Sequence, residues 1–133
     1  MAGHAPILIV DDDPGAAEAF EPMLRGRGFD VCVAADADAG WTAIARFMPS
    51  AIVLDLHLPG LDGVEFLRRL RSTSGVADIP VAIVSGDYLI DEHVTDDIQS
   101  LGARLYFKPL WEEDLAQIVA ALLKVDSGLP AIL

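Results

Sequence analysis

The chain has 133 residues, 53% of them hydrophobic, and its 21 acidic and 9 basic side chains give a formal charge of −12. That length suits one domain, the apolar content excludes a disordered chain, and the acidity argues against direct binding to nucleic acid or anionic lipid. No apolar run approaches the ~18 residues of a membrane helix. The single cysteine, Cys32, cannot form an internal disulfide. Residues 1–4 show no basic stretch leading into an apolar one, so a cytoplasmic protein is expected.

Residues 6–10 form the first short run rich in Ile, Leu and Val, and Asp11-Asp12-Asp13 follow it. The pattern predicts a helix over 14–27, with Asp13 as its N-cap, Pro14 at the first helical position and Gly28 just past its end. A second strand is predicted over 30–34 and a second helix over 38–47, stopped by Pro49. A third strand over 51–54 leads into Asp55, and the next helix, over 64–72, turns Phe66, Leu67 and Leu70 inward. The fourth strand, 80–84, runs into Ser85-Gly86-Asp87. It precedes a helix over 92–101 that ends at Gly102. The fifth strand, 104–107, precedes Lys108-Pro109. The last helix, 112–124, spaces Leu115, Ile118, Val119, Leu122 and Leu123 along one face.

Strand and helix alternate five times, which specifies an α/β fold. It is a single five-stranded parallel sheet with helices on both faces. In such sheets the functional site lies beyond the carboxyl ends of the strands. Those ends carry Asp11-Asp12, Asp55, Ser85 and Lys108. Clustered carboxylates repel one another unless a cation relieves them. Oxygen ligands of this kind suit Mg²⁺, with Mn²⁺ the alternative. A hydroxyl and a lysine beside them are the groups that hold a transferring phosphoryl oxygen.

Taken in order, residues 7–13, 52–63, 84–86 and 107–109 resemble the receiver domain of two-component response regulators. The resemblance covers residues 6–125 and implies the flavodoxin-like strand order 2-1-3-4-5, for which a chemotaxis regulator of this family is the standard example. It implies a receiver domain over 1–125 with 126–133 as a tail or the start of a linker. By the same resemblance Asp55 accepts a phosphoryl group from a histidine kinase or a histidine phosphotransfer protein. Asp11, Asp12, Asp55 and the backbone carbonyl of His57 hold the metal. Ser85 and Lys108 bind phosphoryl oxygens. The implied function is a signalling switch in a phosphorelay, not an enzyme in the usual sense. Its output is an altered protein contact, and a homodimer through the last two helices and the fifth strand is one such contact. The competing functions are a small phosphatase or phosphotransferase with an aspartyl-phosphate intermediate, and a receiver that binds partners without phosphorylation.

Some residues stand outside these roles. Asp13 reads as a cap, Trp41 as packing, and the acidic stretch of Asp91, Glu92, Asp96 and Asp97 as a solvated face. Trp111 has two readings, partial burial against the tail or an exposed anchor for a partner. His57 and Asp87 lie two residues after Asp55 and Ser85, and the resemblance implies that side chains at these positions flank the mouth of the site. Leu105 takes the place, three residues before the lysine, where many receivers carry Tyr or Phe, and residues 102–108 are one shorter than usual. Strand alternation turns Leu105 and Phe107 one way and Tyr106 the other.

Overall fold

The computed structural model describes residues 5–87 and 89–123. Its strands are β1 (Ile7–Val10), β2 (Val31–Ala34), β3 (Ala51–Asp55), β4 (His57–Leu58), β5 (Leu61–Asp62), β6 (Val81–Ser85) and β7 (Arg104–Phe107). Its helices are α1 (Pro14–Gly26), α2 (Ala37–Phe47), α3 (Gly63–Arg71), α4 (Glu92–Ser100) and α5 (Glu112–Leu123). The main sheet is five-stranded with the order β2-β1-β3-β6-β7, and every neighbouring pair is parallel. This is the expected 2-1-3-4-5 order once the small β4–β5 hairpin is set aside.

The sheet separates two apolar layers, as its two-residue side-chain period requires. Leu8 and Val10 of β1 face α2, α3 and α4, where Ile44, Phe66, Leu67, Leu70 and Ile98 close the larger core. Ile7 and Ile9 face the other way, onto Phe20 and Leu24 of α1 and Leu115 and Val119 of α5. Leu105 packs on the first layer and Tyr106 on the second, in line with the alternation read from sequence.

Local signals set the element ends, with small shifts from expectation. The Asp13 side chain accepts from the Gly15 amide, and Pro14 sits in the first turn of α1. α2 starts at Ala37 rather than 38, because the Asp36 carboxylate caps it by accepting from the Ala39 amide at 2.8 Å. β3 and β6 extend one residue further than predicted, taking Asp55 and Ser85 into the ladder. The β4–β5 hairpin lies between the third predicted strand and the third predicted helix, where the pattern specifies no strand. Its two pairings, His57 with Asp62 and Leu58 with Leu61, close around Pro59 and Gly60, which has φ +77°. Asp62 then caps α3 through the Glu65 amide. The expected tail, 126–133, lies outside the described residues.

Candidate functional site

Parallel register carries the chemistry to one edge. Val10 pairs with Leu54, and Asp55 with Val84. Ser85 pairs with Phe107. Each following residue therefore emerges at the same level. The ladder continues through Asp11 N–H to the Ala34 carbonyl at 3.0 Å and Lys108 N–H to the Ser85 carbonyl at 2.8 Å, so the backbone bearing the site is fixed.

Asp11 and Asp55 are 2% and 7% exposed, and Ser85 is fully buried. Carboxylate oxygens of Asp11, Asp12 and Asp55 lie within 4.8 Å of one another, while Asp12 faces solvent. Lys108 Nζ donates to Asp11 Oδ2 at 2.8 Å and stands 3.8 Å from Asp55 Oδ1. The other oxygen of Asp11 accepts from the Asp13 amide at 2.9 Å, which aims the carboxylate. The Ser85 hydroxyl accepts from the Asp87 amide at 3.0 Å.

Three carboxylates and one ammonium do not balance, and the titration of the groups reflects it. Burial first, then the charges of Asp11 and Asp12, push the Asp55 carboxyl above its ordinary range. Lys108 and the His57 backbone N–H act in the opposite sense and do not cancel the rise. Burial alone would lower the Lys108 pKa. The Asp11 hydrogen bond and the charges of Asp11, Asp55 and Asp13 outweigh it and raise the value. The site thus holds excess negative charge at an accessible edge, the donor set a hard divalent cation takes.

The residues singled out from sequence converge on this edge: Asp11, Asp12, Asp55, Ser85 and Lys108 all stand there, with His57 on its rim. His57 Nε2 and Asp87 Oδ2 approach to 3.7 Å across the mouth, both largely exposed. Asp13 acts as a cap and not as part of the cluster. Trp111 is 69% exposed, and the tail of its first reading lies outside the described residues. Trp41 stacks on Phe66 with centroids 4.5 Å apart, and the Arg69 guanidinium lies 5.1 Å from its ring. The acidic face is less idle than expected, for Asp91 caps α4 and Asp97 pairs with Arg68 at 3.0 Å.

Two residues support the site in ways that their sequence context does not show: Gly63, expected only to shape the turn after Asp55, and Arg71. Gly63 N–H donates to the Leu56 carbonyl at 2.6 Å. A Cβ on Gly63 would meet the Asp55 carbonyl oxygen at 2.7 Å and Leu56 Cα at 2.9 Å, so α3 starts hard against the strand that bears Asp55. Arg71 donates to the carbonyls of Leu101, Ala77 and Ile79, holding the end of α4 and the approach to β6. Nothing in their sequence neighbourhood distinguishes either residue from an ordinary turn glycine or helix-end arginine.

A doubly wound parallel sheet with an acidic triad and a lysine at its carboxyl edge suits proteins that take a phosphoryl group on a carboxylate. The chain belongs to the response regulator receiver domain family, which matches residues 7–120. The DNA-binding response regulator MtrA of Mycolicibacterium smegmatis is 36% identical over 126 residues, covering 94% of this chain and 53% of MtrA. RpaA of Synechocystis, a DNA-binding transcriptional regulator, is 35% identical over 93% of this chain and 51% of its own length. The chain therefore spans about half the length of the curated relatives it matches. A putative response regulator from Chloroflexus aurantiacus superposes with a TM-score of 0.80 at 30% identity, over 90% of this chain and 98% of that one. The chemotaxis regulator CheY4 of Vibrio cholerae, 22% identical with a TM-score of 0.79 over 90% of this chain and 98% of that one, shares the fold. The protein is a receiver domain of two-component signalling with an acidic pocket of Asp11, Asp12 and Asp55, a signalling protein rather than a conventional enzyme. No helix among the described residues is long and apolar enough to cross a membrane.

Proposed function

We propose that Asp55 is the phosphoryl acceptor of a phosphorelay. The observation that carries this reading is a buried carboxylate at the end of a central strand, clustered with two further carboxylates and 3.8 Å from an ammonium. A carboxylate oxygen of Asp55 attacks phosphorus in line. The phosphorus–nitrogen bond of a phosphohistidine breaks, the imidazole keeps the electron pair, and an acyl phosphate remains on Asp55. Lys108 and Ser85 hold two of the phosphoryl oxygens, and Asp11 orients Lys108. Asp11, Asp12, Asp55 and the His57 carbonyl would hold Mg²⁺, or Mn²⁺. When bound, that ion neutralises charge on the phosphoryl oxygens.

The donor is a histidine kinase or a histidine phosphotransfer protein, and the setting is the cytoplasm. Residues 1–125 act as the receiver, with 126–133 as tail or linker. Output passes through protein contacts, since a surface of formal charge −12 repels nucleic acid. A homodimer through α4, β7 and α5 is the self-contact this reading allows. Incubation with acetyl phosphate, followed by intact mass, tests the assignment. Wild type gains one phosphoryl group in Mg²⁺. Asp55→Asn gains none, and chelator stops the wild-type reaction. Phosphorylation of Asp55→Asn at the wild-type rate overturns it.

A further inference from the structure

A cavity of about 210 Å³ opens beside the mouth of the acidic edge, between the β4–β5 hairpin, the start of α3 and the segment leading into α4. Its apolar walls are Leu56, Val64, Ile90 and Val94. Leu56 and Val64 are buried, and Ile90 and Val94 pack on the larger core, so the fold holds these walls in place. The rim is polar. His57 and Asp87, which face each other at 3.7 Å, stand there with Asp62 and Asp91. Leu89 lines the same opening and is 92% exposed, the highest value for a large apolar side chain among the described residues. Its amide donates to the Asp87 carboxylate at 2.9 Å, which pins the turn that presents it. An apolar side chain held in water at the edge of an apolar cavity is the arrangement of a docking site.

We propose that this cavity docks the protein that donates the phosphoryl group, by taking one aliphatic side chain from the helix face that carries its phosphohistidine. The inference rests on Asp55 as the acceptor. Position selects this occupant first. Leu56, one wall of the cavity, directly follows Asp55, and His57 and Asp87 border both the cavity and the mouth of the site. A donor that brings phosphorus within bonding reach of Asp55 therefore covers the cavity as well. On a helix, side chains three or four residues apart share a face, so the aliphatic residue stands one turn from the histidine.

Charge selects it next. The carboxylates of Asp62, Asp87 and Asp91 surround the opening of a domain whose formal charge is −12. Such a rim attracts basic side chains beside the aliphatic one. Those same cations offset the charge of the donor's phosphoryl group as it approaches an acidic surface. A second copy of this chain brings another −12 and an equally acidic rim, so it is the poorer fit. The occupant is thus an amphipathic helix with a histidine, an aliphatic residue one turn away, and arginine or lysine next to them.

The test uses two stapled helical peptides, each phosphorylated on a single histidine flanked by arginines. One carries leucine and the other alanine four residues after the histidine. Transfer to the full chain in Mg²⁺ is followed by intact mass, with peptide below saturation. Each rate is divided by the acetyl phosphate rate of the same protein, so any effect on the acceptor itself cancels. Wild type is expected to react with the leucine peptide on the order of tenfold faster than with the alanine peptide. Leu89→Ser, a change at an exposed position, is expected to cut that ratio by about threefold or more. The unphosphorylated leucine peptide is expected to shift the methyl resonances of Leu56, Val64 and Val94 and to leave those of Leu115 and Val119, in the other layer, in place. Equal rates from the two peptides overturn the proposal, as does a ratio that Leu89→Ser leaves untouched. So do methyl shifts confined to other faces. Labelling by acetyl phosphate with no transfer from either peptide overturns the docking site alone, whereas a chain that acetyl phosphate leaves unlabelled loses the acceptor assignment and the docking site together.

Discussion

β3 and β7 each deliver one residue to the acidic edge, and their surroundings differ sharply. All five residues of β3 are buried, and its neighbours are β1 and β6. β7 is an edge strand with no fully buried residue, its Phe107 is 40% exposed, and Trp111 follows it at 69%. The proposed acceptor Asp55 is thus set in a fully buried central strand, and Lys108 follows a partly exposed edge strand. If Asp55 is phosphorylated as proposed, the response is expected at the edge side, in β7 and in α4 with the segment leading into it, rather than in the centre.

The largest way to disturb the stiff side is Gly63→Ala. Its Cβ would collide with backbone atoms of Asp55 and Leu56, neither of which can move without moving β3. Urea unfolding is expected to show a loss of about 2–3 kcal/mol. A loss below the error of the measurement means that β3 is more yielding than its burial implies.

A second change sharpens the electrostatic side of the contrast. Burial, Asp11 and Asp12 raise the Asp55 pKa on folding, so ionised Asp55 disfavours the folded state. The unfolded carboxyl loses its proton first. The penalty is therefore absent below the unfolded value of about 3.9 and fully present above the raised folded one. In chelator near neutral pH, Asp55→Asn is expected to raise the melting temperature by a few degrees. The gain should shrink to nothing as pH falls towards the ordinary carboxylate range. Thermal scans across pH check the sign.

The edge side is probed with a beryllofluoride phosphoryl mimic and amide exchange. Leu105, with no ring to swing inward, packs on the α4 layer. The larger change is therefore expected over 91–101 and the smaller at Leu105. Arg71, which grips the Leu101 carbonyl at 2.7 Å, should keep the far end of α4 the quieter. A response centred on β7 with α4 silent reverses this assignment.

The smallest effect belongs to the rim. His57 and Asp87 face each other at 3.7 Å with side chains 61% and 48% exposed. An exposed pair is worth only ~0–1 kcal/mol, and in a barrier that corresponds to at most about fivefold in rate. If the pair hinders the in-line approach of water, Asp87→Ala speeds loss of the phosphoryl group, His57→Asn does the same, and the double variant adds little. Slower decay in Asp87→Ala means that the carboxylate assists the water instead. The decay of phosphorylated protein, followed by intact mass, separates the two.

The sequence by itself determined the alternation of elements, the two-sided burial of the strands, the inward stripe of α3 and the identity of the site. Apolar runs of four or five residues closed by Asp11, Asp55, Ser85 and Lys108 are local signals, because each chemical group sits directly at a strand end. A cap was legible for the same reason at Asp13, while at Asp36 the predicted helix start fell one residue late. Tertiary structure decided what depends on residues distant in the chain. The distance between Lys108 and Asp11 is set by a register that passes through β1, β3, β6 and β7. Gly63 is required because a helix start presses on a strand end, and no spacing in the sequence records that pressure. Arg71 finds three carbonyls from segments that only the packed fold brings together. The exposure of Trp111 likewise follows from where β7 and α5 leave the sheet, since the side chain alone is compatible with either a core or a surface.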